Sequence, residues 1–445
     1  MRSEPKRNPG ATLARLAVWT AALALLAGCS LFEDDEVLEG TRLPVRQAVA
    51  QASGDVVIRR PLPPAISIES WTQTGGNAAH NSGHLSAPLG FQKVWSADAG
   101  EGISDDSLIT SAPVVGNGLV YTLDAAATVS AFDAGTGALR WEADLTPNED
   151  EEGEEGFGGG LALAGDRLVA TTGFGEVVVL SSGSGEEVWR RRFGAPFRAG
   201  PAVEGGLIVA VTRGSEAFGL ALTDGAVLWR VQGVSADAAY LGGASPALAG
   251  GGAVVPFASG ELVALEARSG RRFWGAVITG GRRGLARAAI TDLTGDPVIL
   301  GPLVVSANQS GRTAALETRT GRRIWTRALG ATQPIWAAGD SLWLVSDTAE
   351  LLRLDAATGQ TLWQRALPAF EDEEDREDAI TYSGPVVVGG QVILTDSLGN
   401  LWSLNAVTGE GGVAAELPEG SITGPVVAGG TIFILDDEAG LHAYR

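Results

Sequence analysis

Residues 384–417 read GPVVVGGQVILTDSLGNLWSLNAVTGEGGVAAEL, four short apolar runs separated by tight turns. The runs are Pro385–Val388, Gln391–Thr395, Leu401–Leu404 and a weak fourth ending at Leu417. The turns are Gly389-Gly390, Leu398-Gly399-Asn400 and Ala406-Val407-Thr408-Gly409. Strands of this length joined by such turns predict an up-and-down antiparallel sheet. Glycine ends the third turn because a positive φ costs it nothing, whereas a residue with Cβ would be strained. The acidic or amide residue four positions earlier, as in Asp133, Glu266, Glu317, Asp355 and Asn405, can hydrogen-bond turn amides and reads as turn chemistry, not catalysis.

The same unit recurs along the chain, marked by a glycine four residues before a tryptophan. The clear copies are Gly137/Trp141, Gly185/Trp189, Gly225/Trp229, Gly270/Trp274, Gly321/Trp325 and Gly359/Trp363. Two copies are degenerate: Phe91 precedes Trp95 where glycine is expected, and Val413 follows Gly409 where tryptophan is expected. A repeat of roughly 40 to 50 residues is the length of one β-propeller blade. The last unit, from Gly424-Pro425-Val426 to Arg445, has chain for only three strands, and Gly90–Ala97 supplies a candidate fourth. Strands from both ends of the domain then close the ring and remove its free sheet edges. The fold expected is all-β, an eight-bladed propeller of four-stranded antiparallel blades over residues 71–445. With 62 glycines and 45% hydrophobic residues, the composition agrees with many short strands and glycine turns.

The N-terminus predicts the compartment. Arg2, Lys6, Arg7 and Arg15 form a basic region, Leu16–Leu26 a short apolar one, and Leu26-Ala27-Gly28-Cys29 a small-residue cleavage site. The apolar stretch is too short for a good membrane span. Residues 1–28 are therefore expected to be a signal peptide. Residues 29–70, with Glu33-Asp34-Asp35-Glu36 and Arg60-Pro61-Leu62-Pro63-Pro64, are expected to be an extended tether.

A net charge of −21 argues against nucleic-acid binding, which needs a basic surface. The excess sits in two runs between blades, residues 149–155 and 371–378, without the spacing of a calcium loop, and these read as solvated loops. His80, His84 and His442 are the only histidines, Cys29 is the only cysteine, and no zinc-type spacing, nucleophile elbow or phosphate loop stands out. No catalytic residue, metal site or cofactor is expected.

Cys29 at the end of that segment resembles the lipobox of bacterial lipoproteins, which implies acylation of Cys29, with Ser30 after it implying the outer membrane. The spacing Ala131, Gly137, Trp141, repeated as Ala264, Gly270, Trp274 and Ala315, Gly321, Trp325, resembles the tryptophan-docking motif of quinoprotein-type propellers. That likeness implies that Trp141, Trp189, Trp229, Trp274, Trp325 and Trp363 pack blade on blade. The order of lipobox, tether, eight repeats and truncated last blade is similar to the BamB family of outer-membrane assembly factors. The resemblance implies a non-enzymatic scaffold that binds the periplasmic (POTRA) domains of BamA, joins other BAM subunits and meets unfolded outer-membrane proteins. It also implies partner-binding loops at Ala238–Gly243 and Ile290–Thr294, with Tyr240, Leu241, Asp292 and Thr294 as the contacts. Leu241 stands where the family has an arginine, and Thr294 where it has a second aspartate. A quinoprotein-like enzyme and a periplasmic ligand-binding or sensor propeller are the alternatives; the first lacks the cysteines for its usual vicinal disulfide.

Overall fold

The computed structural model describes residues 57–104, 107–147, 158–236, 242–280, 290–309, 311–331 and 333–445. The signal peptide, Cys29, the tether before residue 57, the acidic run 149–155, and Tyr240 and Leu241 lie outside the described residues.

Eight four-stranded antiparallel sheets form the blades. Blades 1 to 7 occupy residues 114–144, 159–192, 202–232, 247–277, 293–327, 336–366 and 382–416 in chain order. Blade 8 takes its first three strands from residues 426–444 and its outer strand from Lys93–Asp98, which pairs with Gly440–Tyr444 through Ser96 opposite His442 and Ala97 opposite Leu441. Ring closure by the two ends of the domain is therefore as the sequence predicts. The two inner strands of each blade are sandwiched between neighbouring blades and are largely apolar: every residue of Leu207–Val211, the second strand of blade 3, is buried. Outer strands face water on one side, and Val227–Gln232 buries only Trp229 fully. This difference follows from layered packing, in which only an outermost strand needs a polar face.

The tryptophans join each blade to the next. The Trp141 indole donates from Nε1 to the Ser182 carbonyl at 3.0 Å, and the same bond recurs from Trp189 to Leu222, Trp229 to Ala267, Trp274 to Thr318, Trp325 to Ala356 and Trp363 to Ala406. Trp95 makes it to Ala134 at 3.2 Å. Each ring lies flat on the turn glycine of the following blade; a Cβ on Gly185 would sit 2.6 Å from Trp141 Cε3, and Gly185 has φ +73°. Glycine is required there twice over, by conformation and by contact.

Residues 57–70 differ from the tether expected of them: they lie on the propeller. Ile58 N–H donates to the Leu362 carbonyl at 2.9 Å, and Arg60 pairs with Asp355 and Asp340. From there the chain makes a full circuit of the ring. The Ile68 carbonyl accepts from Gly429 of blade 8, Trp71 pairs with Val115 of blade 1, and the Thr72 carbonyl accepts from Leu163 of blade 2. The Gln73 amide brackets Val203 of blade 3, while the Ala78 and Ala79 carbonyls accept from Leu248 and Ile299 of blades 4 and 5. Gly83 then accepts from Trp336 Nε1 of blade 6, and Leu85 bonds to Val387 of blade 7. We call residues 57–92 the strap. Proline, glycine and asparagine leave its backbone groups free of local pairing, so they are satisfied by the inner strands instead.

The acidic run 371–378, expected as a solvated loop, is a two-stranded hairpin of Phe370–Asp372 with Glu377–Ala379. The Glu373 carboxylate accepts from the Ala369 amide at 2.7 Å, and the Arg376 guanidinium lies over the Phe370 ring, 5.2 Å from its centre.

Candidate partner-binding face

Each inner strand has two ends. The strap covers the end where first and second strands turn, and the loops leading into the blades gather at the other. Trp71 of the strap stacks on Trp336 of blade 6 with centroids 5.7 Å apart, and the Thr74 hydroxyl lies 3.3 Å from the Ser245 hydroxyl, just ahead of blade 4.

Three consecutive leading loops on that face, entering blades 3, 4 and 5, are organised by one ion pair. Arg198, four residues before the first strand of blade 3, donates from Nη2 to Asp292 Oδ1 at 2.5 Å and to the Leu293 carbonyl at 3.2 Å. The side chains are 2% and 0% exposed. Gly243, in the loop between, lies flat against the guanidinium: a Cβ there would fall 1.9 Å from Arg198 Nε. Among the described residues, Arg198 Nε and Nη1 have no hydrogen-bond partner. Beside them the Asp296 carboxylate accepts from the Ser245 amide at 2.5 Å; burial pushes its pKa up to about 7, opposed by that amide and by the charge of Arg198.

Asp292, expected as a partner contact, is a buried residue in the structure. Its carboxylate is sealed from solvent, and the arginine that neutralises it arrives from a loop 94 residues earlier. Thr294 is half-buried and donates to the Ala331 carbonyl at 3.1 Å, tying the loop to the approach to blade 6. Asp292 and Thr294 thus hold the loops in place. Among the described residues of these loops, Val234 is an exposed apolar side chain, 63% exposed, six residues before Tyr240 in the sequence. Arg198 was missed by sequence reasoning; its one local signal is a charge set between Phe197 and Ala199 just ahead of Gly200-Pro201.

The histidines serve the scaffold. His80 Nδ1 lies 2.9 Å from the Pro297 carbonyl and burial lowers its pKa to about 4; His84 bridges Pro63 and Gly390; His442 contacts Asp436 at 2.7 Å. No group of three or more His, Cys, Asp or Glu that could hold a metal ion occurs among the described residues.

A closed ring of eight four-stranded antiparallel blades, docked on one another through tryptophans, defines an eight-bladed β-propeller. Within that class the chain belongs to the family described as outer membrane protein assembly factor BamB, whose model matches residues 90–149, 125–365 and 357–445. It is 24% identical over 435 residues to the outer membrane protein assembly factor BamB of Yersinia pestis, covering 96% of this chain and 98% of the relative. Among solved structures, BamB from Moraxella catarrhalis matches with a TM-score of 0.67 at 18% identity, covering 80% of this chain and 99% of that one. A quinohemoprotein alcohol dehydrogenase from Pseudomonas putida HK5 matches with a TM-score of 0.68 at 13% identity, covering 85% and 80%. Such structural likenesses show the shared propeller fold.

Proposed function

We propose that the chain is a non-enzymatic scaffold of outer-membrane protein assembly, anchored by an acylated Cys29 on the periplasmic side of the outer membrane. It presents the loops leading into blades 3 to 5 to the periplasmic domains of the barrel insertase BamA. The observation that carries this reading is the Arg198–Asp292 pair, which ties the approach to blade 3 to the approach to blade 5, with Gly243 ahead of blade 4 packed on the guanidinium and Val234 exposed nearby in the chain. Rigid presentation lowers the ordering cost of association, and a central aromatic supplies most of the energy in a small interface.

Calorimetry against the BamA periplasmic domains tests it. Tyr240→Ala with Leu241→Ala should weaken binding by tenfold or more, on the order of 1.4 kcal/mol, with an unchanged melting curve. Glu373→Ala, in the acidic hairpin, should bind as wild type. Absence of binding by the wild-type protein would overturn the proposal.

A further inference from the structure

We propose that the outer rim of blades 4 and 5 is a contact surface for an anionic phospholipid bilayer, lying beside the point where the tether joins the propeller. The inference rests on the anchored reading above only for its biological setting. The charge of the chain is unevenly placed: against a total of −21, residues 190–327 hold 17 arginines and 9 acidic residues. Six of these arginines occupy two equivalent turns and the strand starts that follow, Arg268, Arg271 and Arg272 in blade 4 and Arg319, Arg322 and Arg323 in blade 5. The same stretches of blades 1, 2, 3, 6 and 7, up to the tryptophan, carry a single arginine, Arg140. Three glutamates answer them, through pairs of Arg271 with Glu266 at 3.5 Å, Arg272 with Glu261 at 2.6 Å and Arg322 with Glu317 at 3.7 Å, so the strip stays net positive.

Apolar side chains stand out of this strip. Phe273 is 49% exposed beneath the Arg271 guanidinium, 5.0 Å from its ring centre; Ile324 and Val277 are exposed beside Arg323, which donates to the Val277 carbonyl. Guanidiniums interleaved with protruding apolar groups suit the headgroup and upper acyl region of a bilayer, where each basic group near an anionic surface strengthens adsorption several-fold. The rim also continues into blade 6, since Arg327 donates to the Gly359 carbonyl and the Thr361 hydroxyl. That is where the described chain begins, with Ile58 on Leu362 and with Arg59 exposed. A membrane holding the far end of the tether therefore lies within reach of this edge, the 28 residue-to-residue steps from Cys29 to Val57 spanning at most about 100 Å.

The test uses full-length protein with Cys29→Ser, so that no acyl chain assists, and Phe273→Cys labelled with an environment-sensitive dye. Vesicles of phosphatidylglycerol and phosphatidylethanolamine should blue-shift the dye and shield it from iodide, and phosphatidylcholine vesicles should not. The shift should fade with added salt. Arg271→Glu with Arg272→Glu, Arg322→Glu and Arg323→Glu should weaken it about a hundredfold at an unchanged melting temperature. If the fourfold variant does not fold, Arg322→Gln with Arg323→Gln gives the same comparison, with at least a threefold loss expected. A dye at Leu398→Cys, exposed on blade 7, should not respond. An equal response to both vesicle types, no response, or shielding only on addition of an acidic protein would each overturn the proposal. Loss of membrane fractionation in Cys29→Ala would concern the anchor alone, because the dye measurement is made without it.

Discussion

Arg198 and Asp292 are joined by a 2.5 Å ion pair across 94 residues of chain, and neither side chain meets solvent. Removing one partner strands the other charge in a low-dielectric site, which costs about 3–5 kcal/mol. Arg198→Met and Asp292→Leu should each lower the guanidinium midpoint sharply, while the double variant should recover most of the loss. If both single variants unfold like wild type, the pair is not a brace. If the proposed function holds, the double variant should also bind BamA domains more weakly than wild type, because the loops keep their fold but lose their fixed spacing.

Phe91 and Val413, the two departures from the repeat, belong to one junction, that between blades 7 and 8. Phe91 holds the turn position of blade 8 with φ +48°, where other blades have glycine, and Val413 holds the docking position of blade 7. Blade 8 has no closed turn there, since its outer strand comes from the other end of the domain and Gln92 bonds to Arg445 across the gap. Val413→Trp alone should lower the melting temperature by driving an indole at the Phe91 side chain. Val413→Trp with Phe91→Gly should melt above either single variant; additive losses would show that the docking geometry cannot be installed at this junction.

Two buried groups give the stability a dependence on pH, with opposite signs. The pKa of Asp296 rises from 3.8 to about 7 on folding, so its contribution is present below pH 4 and is lost as pH rises toward 7. That of His80 falls from 6.5 to about 4, so its contribution is present above pH 6.5 and is lost as pH falls toward 4. Asp296→Asn should make stability fall more steeply on acidification between pH 7 and 4, and His80→Gln should make it fall less. Unfolding free energies at several pH values check both; parallel curves for wild type and variants would contradict the assignment.

The strap should contribute far more than a linker. Trp71→Ala removes a stacked, 4%-exposed indole and should cost about 3–5 kcal/mol. Deleting residues 30–56 should leave the melting temperature unchanged, whereas extending the deletion through residue 70 should lower it by several degrees. Equal melting temperatures for the two deletions would show that residues 57–70 add nothing to the fold.

The blades were legible because their signals are local: a glycine and a tryptophan four residues apart report a turn, a strand and an interblade contact together. Even Val413 and Phe91 were visible as exceptions, although why they occur together needed the closing geometry. The strap left no such trace. Thr72, Ala78 and Ala79 bond to the blades through their carbonyls, which any residue supplies, and its composition is that of a linker. Arg198 and Asp292 were unreadable as a pair because nothing in either segment points to the other, so an aspartate in a loop looked like a surface group.

The strap and the closing strand also impose an order in time. A chain delivered N-terminus first releases Trp71 and Trp95 before any blade exists for them to join. The strand Lys93–Asp98 waits for Gly440–Tyr444, and the strap waits for inner strands that emerge one after another until the last blade. The first part of the propeller to arrive is thus the last to find its place, and until then the growing molecule carries an open edge at each end. Protection of that half-built ring while it assembles, more than the stability of the finished one, is where this architecture is most exposed to failure.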